Sequence, residues 1–369
     1  MKIMHFCRLV FVKGNGITTA VVNQCLYENM EDSVKSKIIP TYTFESNEKN
    51  ELYKDFTCNK LGIIFSKLII FRSINQLLKA KPDMVYFHNI YDIKTIILSF
   101  FCKIFGISYI VVPHSSLMKN SQLKKKWLKK FYNNTLLKYM IHNASAISYL
   151  NLSEQSNSLE INPGVRKVII PNGVRKIEVS PKELSCQGLR ILYFGRYDIN
   201  HKGIDILVKY IYDFREYLKF NNVTFSMYGS GDIDSVRSLV EINSLENLVS
   251  LNGPVFGKEK DIMFNTHDAF ILTSRYEGLP IAVLEALSYG MPCILSENTN
   301  MKDSITKGAA FKCDSGNDFL GAVEMLLESN NYTEASKNAS LFIDDNYSWQ
   351  KIAKDRVKIC RDILMSKGK

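Results

Sequence analysis

Apolar runs alternate with helix-spaced segments along most of the chain. Lys2–Val12 is mostly apolar and strand-like, and Ile17–Tyr27 follows with apolar residues at helical spacing. Met84–His88, opened by Lys81-Pro82-Asp83, then Tyr109–Val112, Ala144–Tyr149 and Val168–Ile170 read as further strands. Arg175 to Gly188 is polar, contains Pro181 and has no apolar period. Past it the pattern restarts with strands at Leu189–Phe194, Thr224–Tyr228, Leu248–Leu251, Ala269–Thr273 and Cys293–Leu295. Helices are predicted at Ile204–Tyr212 and Phe319–Glu328, and a last one opens at Ser348-Trp349 and runs to about Leu364. The βα alternation in both halves predicts an α/β chain of two doubly wound, Rossmann-like domains. The expected division is residues 1–176, a linker at 177–188, residues 189–347, and a terminal helix at 348–369.

The stretch Asp268–Ser296 concentrates the candidate chemistry. It reads as strand, loop, helix and strand in close succession, with Pro280 placed in the first helical turn and Gly290 and Pro292 ending the helix. So short a unit requires parallel pairing and a right-handed crossover. Glu277 falls in the loop and Glu285 inside the helix. Backbone N–H groups at Gly278, Leu279 and Ile281 would point out of the helix start, where a phosphate is stabilised. A carboxylate further along could accept two vicinal hydroxyls, as an acidic residue does for ribose in dinucleotide folds. The same residues are equally what a helix start favours electrostatically, with Glu285 solvated.

Other strand ends offer polar groups where open parallel sheets collect ligands. Gly14-Asn15-Gly16 follows the first strand, and a plain tight turn explains it as well as a phosphate or sugar loop does. His88, Asn89 and Tyr91 end the Met84 strand, and His114 follows Tyr109–Val112 in Pro113-His114-Ser115-Ser116. A histidine there could contact a sugar hydroxyl or help move a proton, or could be held by loop backbone. His5, His142, His201 and His267 lack such placement and read as structural. Gly195-Arg196 ends the Leu189 strand, and Lys202-Gly203 follows six residues on. Two such cations could clamp a diphosphate or stand as ordinary surface charges. Asp232 and Asp234, after Gly229-Ser230-Gly231, could ligate a divalent metal, but at an expected helix start they read as caps.

Composition narrows the partners. The chain has 369 residues and 46% hydrophobic content, enough for two sizeable cores. No uncharged apolar run of about twenty residues occurs, and Asp92, Lys94 and Lys103 interrupt the best candidate. No secretory pattern opens the sequence, and eight scattered cysteines without a C-x-x-C pair read as reduced thiols in a cytoplasmic protein. The net charge of +10 is uneven: residues 1–180 carry 25 Lys and Arg against 12 Asp and Glu, and the remainder is slightly acidic. Lys124, Lys125, Lys126, Trp127, Lys129 and Lys130 form the densest basic run, backed by Phe131 and Tyr132. Basic and aromatic residues interleaved in this way suit an anionic membrane surface or a solvated helix face better than nucleic acid, for which no motif appears.

The string S-x-x-E-G-L-P-x-x-x-x-E-A from Ser274 to Ala286, followed by Gly290 and Pro292, resembles the signature of retaining GT-B glycosyltransferases of glycosyltransferase family 4. G-R-x5-K-G at Gly195–Gly203 matches the same family's diphosphate pattern, and Ile170-Pro171-Asn172-Gly173-Val174 resembles its interdomain turn. Asn15 stands where the family has a glycine, and the proline that usually follows G-x-G is missing after Gly231. The resemblance implies two Rossmann-like domains facing a cleft, with a C-terminal helix crossing back to the first. It implies transfer of a hexose-type sugar from a nucleotide diphosphate donor, with retention and with neither metal nor other cofactor. Donor binding falls to Gly16, Gly195, Arg196, Lys202, Gly229, Asn252, Gly278, Leu279, Ile281 and Glu285, and catalysis to His114, Glu277, Arg196 and Lys202. The basic first half suggests a lipid-linked glycan acceptor at the inner face of the plasma membrane, in bacterial surface polysaccharide synthesis such as O-antigen or capsule. A nucleotide-sugar epimerase, a sugar phosphorylase or a silent nucleotide-sugar-binding protein would share the fold. The Arg196/Lys202 pair with Glu277 and Glu285 argues for transfer.

Overall fold

A computed structural model describes residues 1–11, 16–45, 66–123, 125–178, 182–184 and 188–367. Chain contacts divide the protein into unit 1, Met1–Gly173 with Trp349–Lys369, and unit 2, Val174–Ser348. The division thus falls three residues before the expected start of the linker. Within the expected linker, Lys182 is tied into unit 2, its Nζ donating at 2.8 Å to the carbonyls of both Phe264 and His267. Residues 179–181 and 185–187 lie outside the described part.

Unit 1 is built on a parallel sheet of β1 (Lys2–Phe11), β2 (Lys35–Glu45), β3 (Met84–His88), β4 (Ser108–Val112), β5 (Ala146–Tyr149) and β6 (Lys167–Ile169), in the order β2-β1-β3-β4-β5-β6. The central strands β3 and β4 are buried on both faces, so their sequences are mostly apolar. Met84, Tyr86, Ile110 and Val112 pack with Val357, Cys360 and Ile363 of the terminal helix Trp349–Lys367. Val85, Phe87, Tyr109 and Val111 point to the other face, against Leu137, Met140 and Ile141. Pro40 is tolerated in β2 because that strand is an edge.

Unit 2 carries β7 (Leu189–Phe194), β8 (Val223–Tyr228), β9 (Val249–Asn252), β10 (Ala269–Leu272), β11 (Cys293–Leu295) and β12 (Ala310–Lys312), in the order β12-β11-β10-β7-β8-β9. All pairings are parallel. One continuous core includes Ile191, Phe225, Ile271, Leu284 and Phe319. Among the described residues, no helix is long and apolar enough to cross a membrane. Six cysteines are described, and all are buried thiols without a disulfide.

Candidate functional site

Strand order locates the candidate site of unit 2. β7 lies between β8 and β10, so the chain leaves the neighbouring ends of β7 and β10 in opposite directions. A crevice at such a switch point is where doubly wound sheets bind ligands. After β7 come Gly195 and Arg196, and after β10 comes Thr273–Glu277. The first loop is held backbone against backbone: the Gly195 N–H donates to Tyr228 O at 3.0 Å, and a Cβ on Gly229 would meet Gly195 O at 1.8 Å. Only glycine fits at Gly229. Buried Tyr197 anchors the loop from below, its hydroxyl 2.8 Å from Met227 O and 2.7 Å from Asn252 O. Arg196, between these anchors, is exposed, and its guanidinium makes no ion pair among the described residues. The Asn252 side chain donates to Met227 O at 3.3 Å, so its visible role is to brace this loop.

Lys202 ends a short helix, Ile199–Lys202, that Asp198 caps through His201 N. Gly203 then turns with φ +62°, where a Cβ would meet Thr273 O at 2.1 Å. Thr273 Oγ1 donates to Gly203 O at 2.9 Å, bringing the two loops together. Lys202 Nζ reaches Glu277 Oε1 at 2.6 Å, and Ser274 Oγ donates to the same oxygen at 2.7 Å. The pair is largely buried, at 16% and 10% side-chain exposure. A second bridge ties the loops further out: Arg275 grips Asp205 through two hydrogen bonds of 2.8 and 2.6 Å. His201 stacks on Tyr276 and meets its carbonyl at 2.9 Å.

The helix after this loop spans Ile281–Ser288. Pro280 is its cap residue, one position earlier than the sequence suggested, because its carbonyl already accepts from the N–H groups of Val283 and Leu284. Among the described residues, the N–H groups of Leu279 and Ile281 donate to no protein acceptor. Gly278 already has a partner and is not counted with them. Glu285 is bound by Lys260 Nζ at 2.6 Å through Oε1. Asp232 caps the helix Ile233–Ile242 through Ser235 N, and Asp234 pairs with Arg237 at 2.8 Å.

In unit 1, Gly16 opens the helix Gly16–Glu28, while Gly14 and Asn15 lie outside the described residues. His114 and Ser115 have φ values of +47° and +61°, in the left-handed region that costs an ordinary residue about 1–2 kcal/mol. The turn is held by buried Glu154, which accepts from Ser115 N and, at 2.6 Å, from Leu150 N. Strain maintained in this way accompanies functional positions. His114 Nε2 lies 2.8 Å from His88 Nδ1.

Several residues of these sites were not singled out in the sequence. Ser274, Arg275 and Tyr276 sit inside the recognised string, but Asp205 and Lys260 could be matched to them only through the loop geometry. His201, which has no strand-end placement in the sequence, packs on the site loop through Tyr276.

Two doubly wound α/β units, one with cations and open backbone donors at its switch point, define a chain of the GT-B type. Residues 188–329 match the family model for glycosyl transferases group 1. That match lies within unit 2 and makes this part of the chain similar to glycosyl transferases group 1. An uncharacterized 41.2 kDa protein in the cps region of Klebsiella pneumoniae is 26% identical over 329 residues, covering 84% of each chain. The UDP-Gal:alpha-D-GlcNAc-diphosphoundecaprenol alpha-1,3-galactosyltransferase of Escherichia coli is 24% identical, over 85% of this chain and 80% of its own. A lipopolysaccharide outer core galactosyltransferase, solved in its apo form, superposes with a TM-score of 0.65 at 18% identity and covers 100% of both chains.

Proposed function

We propose that the protein transfers a hexose-type sugar from a nucleotide diphosphate donor to a lipid-linked glycan, with retention and without a metal ion, in bacterial surface polysaccharide synthesis. The observation that carries this reading is Arg196: an exposed guanidinium at the switch point that forms no ion pair among the described residues. Lys202, by contrast, is already neutralised by Glu277. A diphosphate would satisfy Arg196 through paired hydrogen bonds, and the N–H groups of Leu279 and Ile281 would take further oxygens. As the sugar leaves, charge grows on the β-phosphate, and these fixed donors stabilise it without reorganising.

Glu285 would accept the ribose hydroxyls with the oxygen that Lys260 does not hold. Glu277, fixed by Lys202 and Ser274, would orient the sugar, and the family resemblance gives His114 a sugar hydroxyl. The acceptor oxygen would attack from the leaving-group side and give its proton to a phosphate oxygen.

A lipid-linked acceptor is supported by the Escherichia coli relative, whose name includes a diphosphoundecaprenol-linked sugar, and by the surface of unit 1. The helix Lys126–Asn134 exposes Trp127 at 83%, with Leu128 and Phe131 also in solvent. Helix Ile93–Ile104 exposes Ile93, Ile97, Phe100 and Ile104, one stripe at helical spacing. Phe100 lies 6.1 Å from Tyr139, which joins the stripe to the neighbouring helix. Exposed Lys103, Lys126, Lys130 and Lys138 accompany these apolar residues. Apolar residues with a basic surround suit the inner face of an anionic membrane. Lys124 lies outside the described residues.

Arg196→Ala tests the donor reading directly. Turnover should fall about a hundredfold or more with the fold intact by circular dichroism. Near-wild-type turnover would remove the diphosphate role.

A further inference from the structure

Behind His114, unit 1 contains a chain of buried polar groups that the proposed transfer does not use. The pleat sets it up: His5 pairs in register with Tyr86, and His88 follows two residues along β3 on the same face. His5 Nε2 meets Glu28 Oε2 at 2.8 Å, His5 Nδ1 meets His88 Nε2 at 3.1 Å, and His88 Nδ1 meets His114 Nε2 at 2.8 Å. The ring planes agree within 20° at the first histidine contact and 29° at the second, so in-plane N–H groups and lone pairs can meet. Glu28 is fixed at the far end by Arg356 Nε at 2.8 Å and Ser36 Oγ at 2.7 Å. Arg356 comes from the terminal helix, is 1% exposed and lies over the Tyr86 ring at 4.2 Å, and the Tyr86 hydroxyl meets Cys360 Sγ at 3.1 Å.

We propose that Glu28, His5 and His88 form a positioning relay that sets the polarity of His114 Nδ1. In the resting chain, the Glu28 carboxylate fixes the direction of every bond. His5 Nε2–H donates to it, His88 Nε2–H donates to His5 Nδ1, and His114 Nε2–H donates to His88 Nδ1. His114 Nδ1 is then a bare acceptor, turned to a hydroxyl or water. A proton arriving there releases the Nε2–H of His114 to His88 Nδ1, and the Nε2–H of His88 to His5 Nδ1. One proton enters, two more shift, and the positive charge rests on His5 against Glu28. No electron moves, and His114 has become a donor. The relay rests on the proposed transfer only in giving His114 a sugar hydroxyl.

The surroundings favour this direction. Burial pushes the Glu28 carboxyl up, but the His5 ring and the Arg356 guanidinium, with hydrogen bonds from His5 and Ser36, hold it down at about 2. Burial, with Arg356 adding to it, lowers His114 to about 4, and burial holds His88 well below the usual histidine range. The two outer rings therefore do not retain the charge, and His5 is the ring of the three that touches a carboxylate. Sequence spacing cannot expose the far end of this chain, because Glu28 and Arg356 are 328 residues apart.

Nuclear magnetic resonance of isotope-labelled histidine nitrogens in the intact chain tests the relay without any sugar. His114 signals are assigned by their loss in His114→Ala. At about pH 8, His114 should be protonated at Nε2 and bare at Nδ1. On acidification, His5 should become the doubly protonated ring while His114 moves its single proton to Nδ1. An Nδ1–H tautomer at the higher pH, or a doubly protonated His114 ahead of His5, overturns the proposal. His5→Phe keeps a ring beside Tyr86 and should leave His114 as a mixture of tautomers; an unchanged His114 pattern there also overturns it. If that variant does not fold, the wild-type titration decides alone. The result is independent of whether Arg196→Ala abolishes transfer.

Discussion

Replacing Lys202 by Met removes the cation from a bridge that is almost out of solvent. Glu277 retains only 10% side-chain exposure, and its Oε1 would keep the Ser274 hydroxyl while losing Lys202 at 2.6 Å. Removing one partner of a buried pair costs about 3–5 kcal/mol, because the remaining charge cannot recover its hydration. In a unit of this size, each kcal/mol moves the thermal midpoint by about 2–4 °C, so Lys202→Met should lower it by roughly 6–20 °C. Glu277→Gln should destabilise for the mirrored reason. The double variant Lys202→Met/Glu277→Gln buries no charge there and should return to within about 1–2 kcal/mol of wild type. Its turnover should nevertheless stay low, since both groups are assigned to the donor. Thermal and urea melts followed by circular dichroism, paired with a transfer assay, read both quantities. Single variants each costing less than about 1 kcal/mol, or a double variant costing their sum, would refute the buried coupling. Full turnover in the double variant would refute the donor role.

Two further outcomes follow from unit 1. Glu28 is held at about 2 against an ordinary 4.5, so its contribution to stability is fully present above pH 4.5 and is lost as pH falls towards 2. The urea midpoint of wild type should therefore converge on that of Glu28→Gln across this window, and a gap that stays constant would contradict the assignment. The exposed basic–apolar surface should bring the protein down with vesicles rich in anionic phospholipid, and Lys126→Glu/Lys130→Glu with Trp127→Ser should leave it in the supernatant at physiological salt. Equal recovery of both proteins would remove the membrane contact.

Five of the six strands of unit 2 were legible as short apolar runs, most of them bounded by glycine or proline, as at Leu189–Phe194 before Gly195 and Cys293–Leu295 after Pro292, whereas the three-residue β12, Ala310–Lys312, is too short to show a pattern. The loop residues Arg196, Lys202, Glu277 and Glu285 were legible through one long motif. What each of them touches was not. Lys260 meets Glu285 only after one strand and the helices on either side of it have folded, and Asp205 meets Arg275 across 70 residues. The helix Ile199–Lys202 is a single turn made by the Asp198 cap and the left-handed Gly203, too short to show a period. Lys182 looked like linker because its burial depends on two carbonyls more than 80 residues away. His5 looked like one polar residue in a strand. Its meaning appeared only when β1 and β3 paired and the pleat put it beside His88.

Calorimetric titration with UDP, GDP and ADP, with and without EDTA, tests the central claim most directly. The account predicts micromolar binding of one nucleotide that EDTA leaves unchanged and Glu285→Ala abolishes. Binding that requires a divalent metal, or no binding of any of the three, would contradict it.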